Sequence, residues 1–356
     1  MRNRVLPYLL LLFPVLFSCS GNNSEVHVAC ERNMKGDYLL KWETYPLIDG
    51  TVKIYQSSNP ELFNTQIPAI EQYIKEEYIV IPSKFLDPRQ YFKLVFNKKH
   101  SVITAERLLK TDEINNCRDI GGYLNKNKIP IKWGKLYRSG SMHYASSIDA
   151  EILNEMGIKS LIDLRSSREV DIDPPLYRTP HVFNIPVVSN NLNSYINKIV
   201  FEEMKRGDIL IALQDQQMEM VHNNTKQLIR IFDVLLEENN YPAIIYCNWG
   251  KDKTSLVIAL LLSALDIPYE QILRDYMLSN TYIDFYRIVQ DADLYPPQVQ
   301  EGLTVLFSSH EEILDYVFEE INKEYGSITN YLEKELLLTT KKRERLKNLF
   351  LDQDSE

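Results

Sequence analysis

The chain has 356 residues, 44% of them hydrophobic and 25% charged, with a formal net charge of −9. That composition excludes a disordered or fibrous chain and leaves room for two domains. The acidic balance gives no broad attraction to nucleic acid or to an anionic membrane face, so any anionic ligand must be held by a local basic site.

Residues 1–19 have the form of an export signal. Arg2 and Arg4 precede an apolar run from Val5 to Phe17, which Pro7 and Pro14 interrupt. The run is shorter than the roughly 20 residues that span a bilayer. Leu16-Phe17-Ser18-Cys19 resembles a bacterial lipobox. This implies that Cys19 is acylated and becomes the mature N-terminus; cleavage by an ordinary signal peptidase is the alternative. Residues 20–24 read as a polar tether. The expectation is a lipoprotein of the cell envelope, membrane-anchored on its periplasmic or surface side.

Residues 25–110 show period-two patterning. Tyr38, Leu40 and Trp42 share one face, Val52 and Ile54 alternate with Lys53 and Tyr55, and Phe92, Leu94 and Phe96 alternate with Tyr91, Lys93 and Val95. Asp49-Gly50, Asn59-Pro60 and Asp87-Pro88 supply turns. The sum predicts a small all-β sandwich, and the order of its strands resembles a fibronectin type III module. No titratable cluster suggests chemistry here, so a spacer or docking surface is expected.

The chemistry concentrates at Ala243 to Ser255, which reads as buried strand, tight loop and helix, with an apolar run from Leu256 to Leu265 behind it. Loop N–H groups and a helix N-terminus suit an oxyanion such as phosphate. The same field stabilises a thiolate, and Cys247 sits at its mouth. A lone cysteine at a strand end is ordinarily a buried apolar thiol; the neighbours Gly250-Lys251-Asp252-Lys253-Thr254 argue for the nucleophile instead.

Tyr246-Cys247-Asn248-Trp249-Gly250-Lys251-Asp252-Lys253-Thr254-Ser255 resembles the loop His-Cys-x-x-Gly-Lys-Asp-Arg-Thr-Gly of the bacterial tyrosine phosphatases. Tyr246, Lys253 and Ser255 depart from that pattern. Further blocks follow the family in order: Asn116-Cys117-Arg118-Asp119-Ile120-Gly121-Gly122-Tyr123, Lys135-Leu136-Tyr137-Arg138-Ser139-Gly140, Asp163-Leu164-Arg165-Ser166, Asp275-Tyr276-Met277-Leu278-Ser279-Asn280, and a late Tyr325-Gly326-Ser327 with Tyr331-Leu332. The resemblance implies an α/β cysteine phosphatase fold, a central sheet flanked by helices, over residues 111–356.

It also implies roles. Cys247 attacks phosphorus, and Asn248, Trp249, Gly250, Lys251, Thr254 and Ser255 bind the phosphate together with Lys253. Asp163 is the expected general acid, with Asp252 the second candidate; the alternative for Asp163 is a salt bridge to Arg165 or Arg168. The expected substrate is a phosphorylated protein or another phosphate monoester, with no cofactor. A degenerate phosphatase that only binds phospho-ligands is the rival reading, because lysine replaces the planar guanidinium at 253.

The remaining expectations are structural. Ile148–Met156 reads as a helix stopped at Gly157, and Ile158–Leu164 and Val182–Val187 as strands. Met218–Leu236 reads as a helix with a core stripe, and 190–217 as a lid candidate. Lys341 to Arg345 reads as a solvated face rather than a nucleic-acid site. Cys19, Cys30, Cys117 and Cys247 show no metal-ligand spacing. Cys30 and Cys117 are either a disulfide pair in an exported protein or, preferentially, buried thiols.

Overall fold

The computed structural model describes residues 25–83, 88–189, 192–289 and 292–353. The expected signal, the tether and Cys19 lie outside the described residues.

Seven strands form the N-terminal sandwich: β1 (Glu25–Arg32), β2 (Tyr38–Tyr45), β3 (Thr51–Ser57), β4 (Ile70–Tyr73), β5 (Tyr78–Ile81), β6 (Tyr91–Phe96) and β7 (His100–Ala105). They pair antiparallel in two sheets, ordered β1-β2-β5 and β4-β3-β6-β7. The alternation seen in the sequence is the cause. Tyr38, Leu40 and Trp42 of one sheet meet Val52, Ile54, Phe92, Leu94 and Phe96 of the other in one buried core. Trp42 Nε1–H finds the Ile74 carbonyl at 2.7 Å, which satisfies its polar edge.

The second sheet is built from β8 (Arg118–Asp119), β9 (Leu136–Ser139), β10 (Ser160–Asp163), β11 (His181–Asn184) and β12 (Ala243–Tyr246). Its order is β11-β10-β12-β9-β8. β9 to β12 run parallel and β8 closes the edge antiparallel to β9. β12 is central and buried at every residue, as a parallel strand covered on both faces must be. Around the sheet lie α1 (Ser147–Glu155), α2 (Ser167–Ile172), α3 (Leu192–Val200), α4 (Arg206–Asn223), α5 (Thr225–Leu235), α6 (Asp252–Ala264) and α7 (Tyr269–Met277). Helices Pro297–Phe307, Glu311–Tyr325 and Thr340–Phe350 follow.

α6 carries ten buried residues from Thr254 to Ala264 and forms the middle of the main core. α1 starts with a capping box from Ser146 and Asp149 and ends before Gly157 at φ +65°, as expected. The single helix expected over 218–236 is instead two. Asn224 interrupts it, turning its side chain to the Val188 backbone (Nδ2 to O 2.9 Å, Oδ1 from N–H 2.7 Å) and so exchanging helix continuity for a tie to the strand-end segment. The stripe residues Val221, Leu228 and Phe232 are nevertheless core.

α3, α4 and helix Pro297–Phe307 pack through Ile199, Ile209, Leu213 and Leu303 into a separate helical cluster over the region expected as a lid. The basic run at 341–345 lies on helix Thr340–Phe350, where Lys342 pairs with Asp233 and Arg345 with Glu237. Cys30, Cys117 and Cys247 are free thiols; burial pushes that of Cys117 up to about 12. Among the described residues no helix is long and apolar enough to cross a membrane.

Candidate active site

β12 ends at Tyr246, the chain turns through Cys247 to Lys251, and α6 begins at Asp252. The site thus lies at the C-terminal ends of the parallel strands. Gly250 makes the turn: its φ is +62°, and a Cβ there would stand 2.3 Å from the Ser139 carbonyl oxygen. Only glycine lets the loop close this tightly on β9. Among the described residues the backbone N–H groups of Asn248 to Thr254 have no acceptor, and Cys247 is 6% exposed beside them. That is an anion-binding nest at the start of a 13-residue helix.

The loop is held from behind by a buried polar cluster. Asn116 Nδ2 donates to the Trp249 and Gly250 carbonyls at 3.0 and 3.1 Å. Arg138 Nη2 donates to Gly250 O at 2.6 Å and also to Ser255 Oγ, while its Nη1 binds Asp275. Arg118 binds Asn116, the Asp275 carboxylate and backbone, and Ser279. Burial would raise the Asp275 carboxyl, but Arg118 and Arg138 outweigh it and hold it well below the usual carboxylate range. Burial and the neighbouring Arg138 bring Arg118 down to about 10. Three of the separated sequence blocks therefore meet behind one turn.

Several of the expected site residues have protein partners in this geometry. Asp163, expected as general acid, is 1% exposed and takes the alternative role, a salt bridge to Arg165. Its Oδ1 accepts from Arg165 N and Nε, both at 3.0 Å, and its Oδ2 from Arg165 Nη2 and the Tyr246 hydroxyl, both at 2.7 Å. Both oxygens accept from protein donors. Tyr246, which departs from the family's histidine, is thereby explained as the phenol that completes this pair.

Lys251, expected on phosphate, has its side chain engaged elsewhere. Its side chain is 2% exposed and its ammonium binds Asp252 Oδ1 at 2.7 Å and the Leu306 and Ser308 carbonyls at 3.3 Å. It ties the loop to the C-terminal end of helix Pro297–Phe307, where carbonyls carry partial negative charge. Ser255 Oγ accepts from Arg138 and keeps its own O–H to donate. Thr254 Oγ1 is buried and has no partner among the described residues.

Lys253 stays at the site mouth, 13% exposed, with Nζ 3.4 Å from Glu169 Oε2. Glu169 was not anticipated. It is the third residue of α2, bonded to Ser166 in a capping box, and it accepts from Asn248 Nδ2 at 2.6 Å. Burial pushes its carboxyl up, but Lys253 and the bonds from Ser166 and Asn248 bring it below the ordinary value. The Ser166-x-x-Glu169 spacing was the available signal for the cap, though not for its reach to the loop. Trp249 packs edge-on to Phe307, centroids 6.2 Å apart, which joins the loop to the helical cluster. The Asp252 carboxylate is 21% exposed at the first turn of α6. No group of three or more His, Cys, Asp or Glu suited to a metal occurs among the described residues.

Comparison with known proteins agrees with this construction. A chain of Cupriavidus necator, provisionally named a tyrosine-protein phosphatase, is 26% identical over 232 residues, covering 64% of this chain and 84% of its own. The triple specificity protein phosphatase PtpB of Mycobacterium tuberculosis is 25% identical over 252 residues, covering 61% and 90%. The catalytic core of the PP-IP phosphatase SIW14 from S. cerevisiae aligns over 55% of this chain and 89% of its own at 15% identity and a TM-score of 0.24, too remote to bear on function. The profile of the tyrosine phosphatase family matches residues 109–352, more than half of the chain, and the protein belongs to that family as a protein-tyrosine phosphatase.

Proposed function

We infer that the enzyme hydrolyses phosphate monoesters through a cysteinyl-phosphate intermediate. The observation that carries this is the ring of unshared N–H groups from Asn248 to Thr254 around Cys247. In the first step the Cys247 sulfur attacks phosphorus in line, an S–P bond forms and the P–O bond to the leaving group breaks. The loop N–H groups and the Lys253 ammonium hold the equatorial oxygens. Asp252 is the proton donor to the leaving oxygen, since Asp163 has both oxygens engaged. Water then attacks the phosphorus, Asp252 takes its proton, and the sulfur departs with the Thr254 hydroxyl as hydrogen-bond donor.

The substrate class is phosphotyrosine, extending to phosphoserine, phosphothreonine or phosphoinositide, in keeping with the triple specificity in the name of one relative. We further propose that the three-on-four sandwich is a fibronectin type III-like module and that Cys19 carries a lipid anchor in the cell envelope. The test is Cys247→Ser. It abolishes turnover of an aryl phosphate while vanadate binding persists, and phosphate from a quenched burst is recovered on Cys247 of the wild type. Turnover retained by Cys247→Ser would overturn the mechanism.

A further inference from the structure

The sandwich was expected to be a spacer or docking surface, yet one of its side chains reaches under the phosphatase sheet. Arg89, in the segment entering β6, is 11% exposed at its side chain. Its Nη1 donates to Asp119 Oδ2 at 2.8 Å and to the Tyr137 hydroxyl at 3.0 Å, and its Nη2 to the Glu106 carbonyl at 2.8 Å. Asp119 and Tyr137 are cross-strand partners on β8 and β9. The neighbouring pair in the same register is Arg118 and Arg138, the two guanidiniums that hold the back of the phosphate loop.

Side chains of successive strand residues point to opposite faces. One guanidinium from the sandwich therefore grips the pair on one face whose neighbours grip the loop on the other. β8 is only two residues long, paired to β9 on one side and on the other bonded by the segment 107–109 that leaves the sandwich, so its side-chain ties matter to its position. Asp119 carries most of the remaining fixation: it accepts from Gly121 N at 2.7 Å and Gly134 N at 2.8 Å and is fully buried. Without Arg89 its carboxylate would be a buried charge with no cationic partner.

We propose that Arg89 is a positioning residue of the phosphatase site, which sets β8 on β9 and through Arg118 and Arg138 fixes the loop around Cys247. The sandwich is then part of the enzyme. The proposal rests on the phosphatase reading, and it predicts that loss of the fork loosens the nest in molecules that remain folded.

The experiment uses the full chain with three changes: Arg89→Lys, Arg89→Met, and the double change Arg89→Met with Asp119→Asn, which leaves no unpaired buried charge. Three quantities are measured: the burst amplitude, which counts competent sites; kcat per competent site; and the Kd for vanadate, which needs no turnover. The expected result is a loss of about ten-fold in kcat per competent site in Arg89→Met and in the double variant, the size of one charged hydrogen bond lost at the transition state. A weaker vanadate Kd accompanies it, with partial rescue in Arg89→Lys. A smaller burst with unchanged kcat per site and unchanged vanadate Kd in all three would mean that Arg89 only stabilises the fold, and would overturn the proposal. If the wild type binds vanadate yet shows no burst, the mechanism fails while the vanadate arm still decides the role of Arg89.

Discussion

The two aspartates near the loop separate by the chemistry of the leaving group. Asp163 lies in a buried pair with Arg165 and also accepts from Tyr246. Replacing it with asparagine turns an NH₂ toward donors and leaves the Arg165 charge without its counterion. Breaking a buried pair from one side costs about 3–5 kcal/mol, a large part of the ~5–15 kcal/mol that holds a typical domain together. Asp163→Asn should therefore lower Tm sharply and reduce the competent fraction, with the same proportional loss on every substrate. Asp252 is partly exposed and, among the described residues, has one side-chain partner, Lys251. Asp252→Asn also removes the carboxylate partner of the buried Lys251 ammonium, so some loss of Tm is expected, but per competent site it should cost about 10²–10⁴ in kcat on a tyrosyl or alkyl phosphate, the usual contribution of a general acid. It should cost far less on a nitrophenyl phosphate, whose leaving group departs without a proton. The assay is steady-state kcat over a series of aryl phosphates of graded phenol pKa, paired with thermal melts. A steep leaving-group dependence in Asp163→Asn, with a flat one in Asp252→Asn, would refute the assignment.

Gly250→Ala should lose nearly all activity and vanadate binding, because the added methyl meets Ser139 backbone at 2.3 Å in a left-handed turn; calorimetry with vanadate checks it. Thr254→Val keeps the volume and removes the unpartnered hydroxyl, so dephosphorylation of the intermediate should slow more than its formation, read as a burst that persists while the steady rate falls. Lys253→Arg should raise kcat/KM about ten-fold if a second charged hydrogen bond to phosphate is gained, and steady-state kinetics decides this. Asp275 has a folded carboxyl held below its ordinary value by Arg118 and Arg138. Its stabilisation is complete above that ordinary value and is lost only as pH falls through the depressed one; Asp275→Asn should therefore flatten the acid limb of a Tm-against-pH curve.

The elements that run on local patterning were legible in the sequence. β2 and β6 show the period-two faces that the alternation requires, and α1 its serine cap and glycine stop. The loop was legible because it combines a special backbone with reactive residue types. What escaped was the direction of individual charged side chains. Lys251 and Lys253 are two residues apart at the start of one helix, so they leave it on different sides: one meets helix carbonyls contributed 55 residues later, the other Glu169. No local rule fixes either partner. The same holds for Asp163, whose candidate roles differed only in whether an arginine folded back on it. The break at Asn224 was hidden because its cause is a hydrogen-bonding segment 36 residues away.

The recurrent blocks have a common physical reason once their side chains are followed. Asn116, Arg118, Arg138, Asp275 and Ser279 come from three distant stretches and form one cluster, in which Asn116 and Arg138 bond residues 249–255 directly and Arg118, Asp275 and Ser279 hold those two. The Trp249 and Gly250 carbonyls are thereby fixed by buried donors. The loop conformation is thus determined several times over before any phosphate arrives, which is how a nest of N–H groups with no acceptors of their own is kept open at tolerable cost. Lys253 takes no part in that buried cluster; its ammonium meets Glu169, which also holds Asn248. If Lys253 holds the phosphate as proposed, exchanging a guanidinium for an ammonium there should weaken transition-state binding rather than the fold.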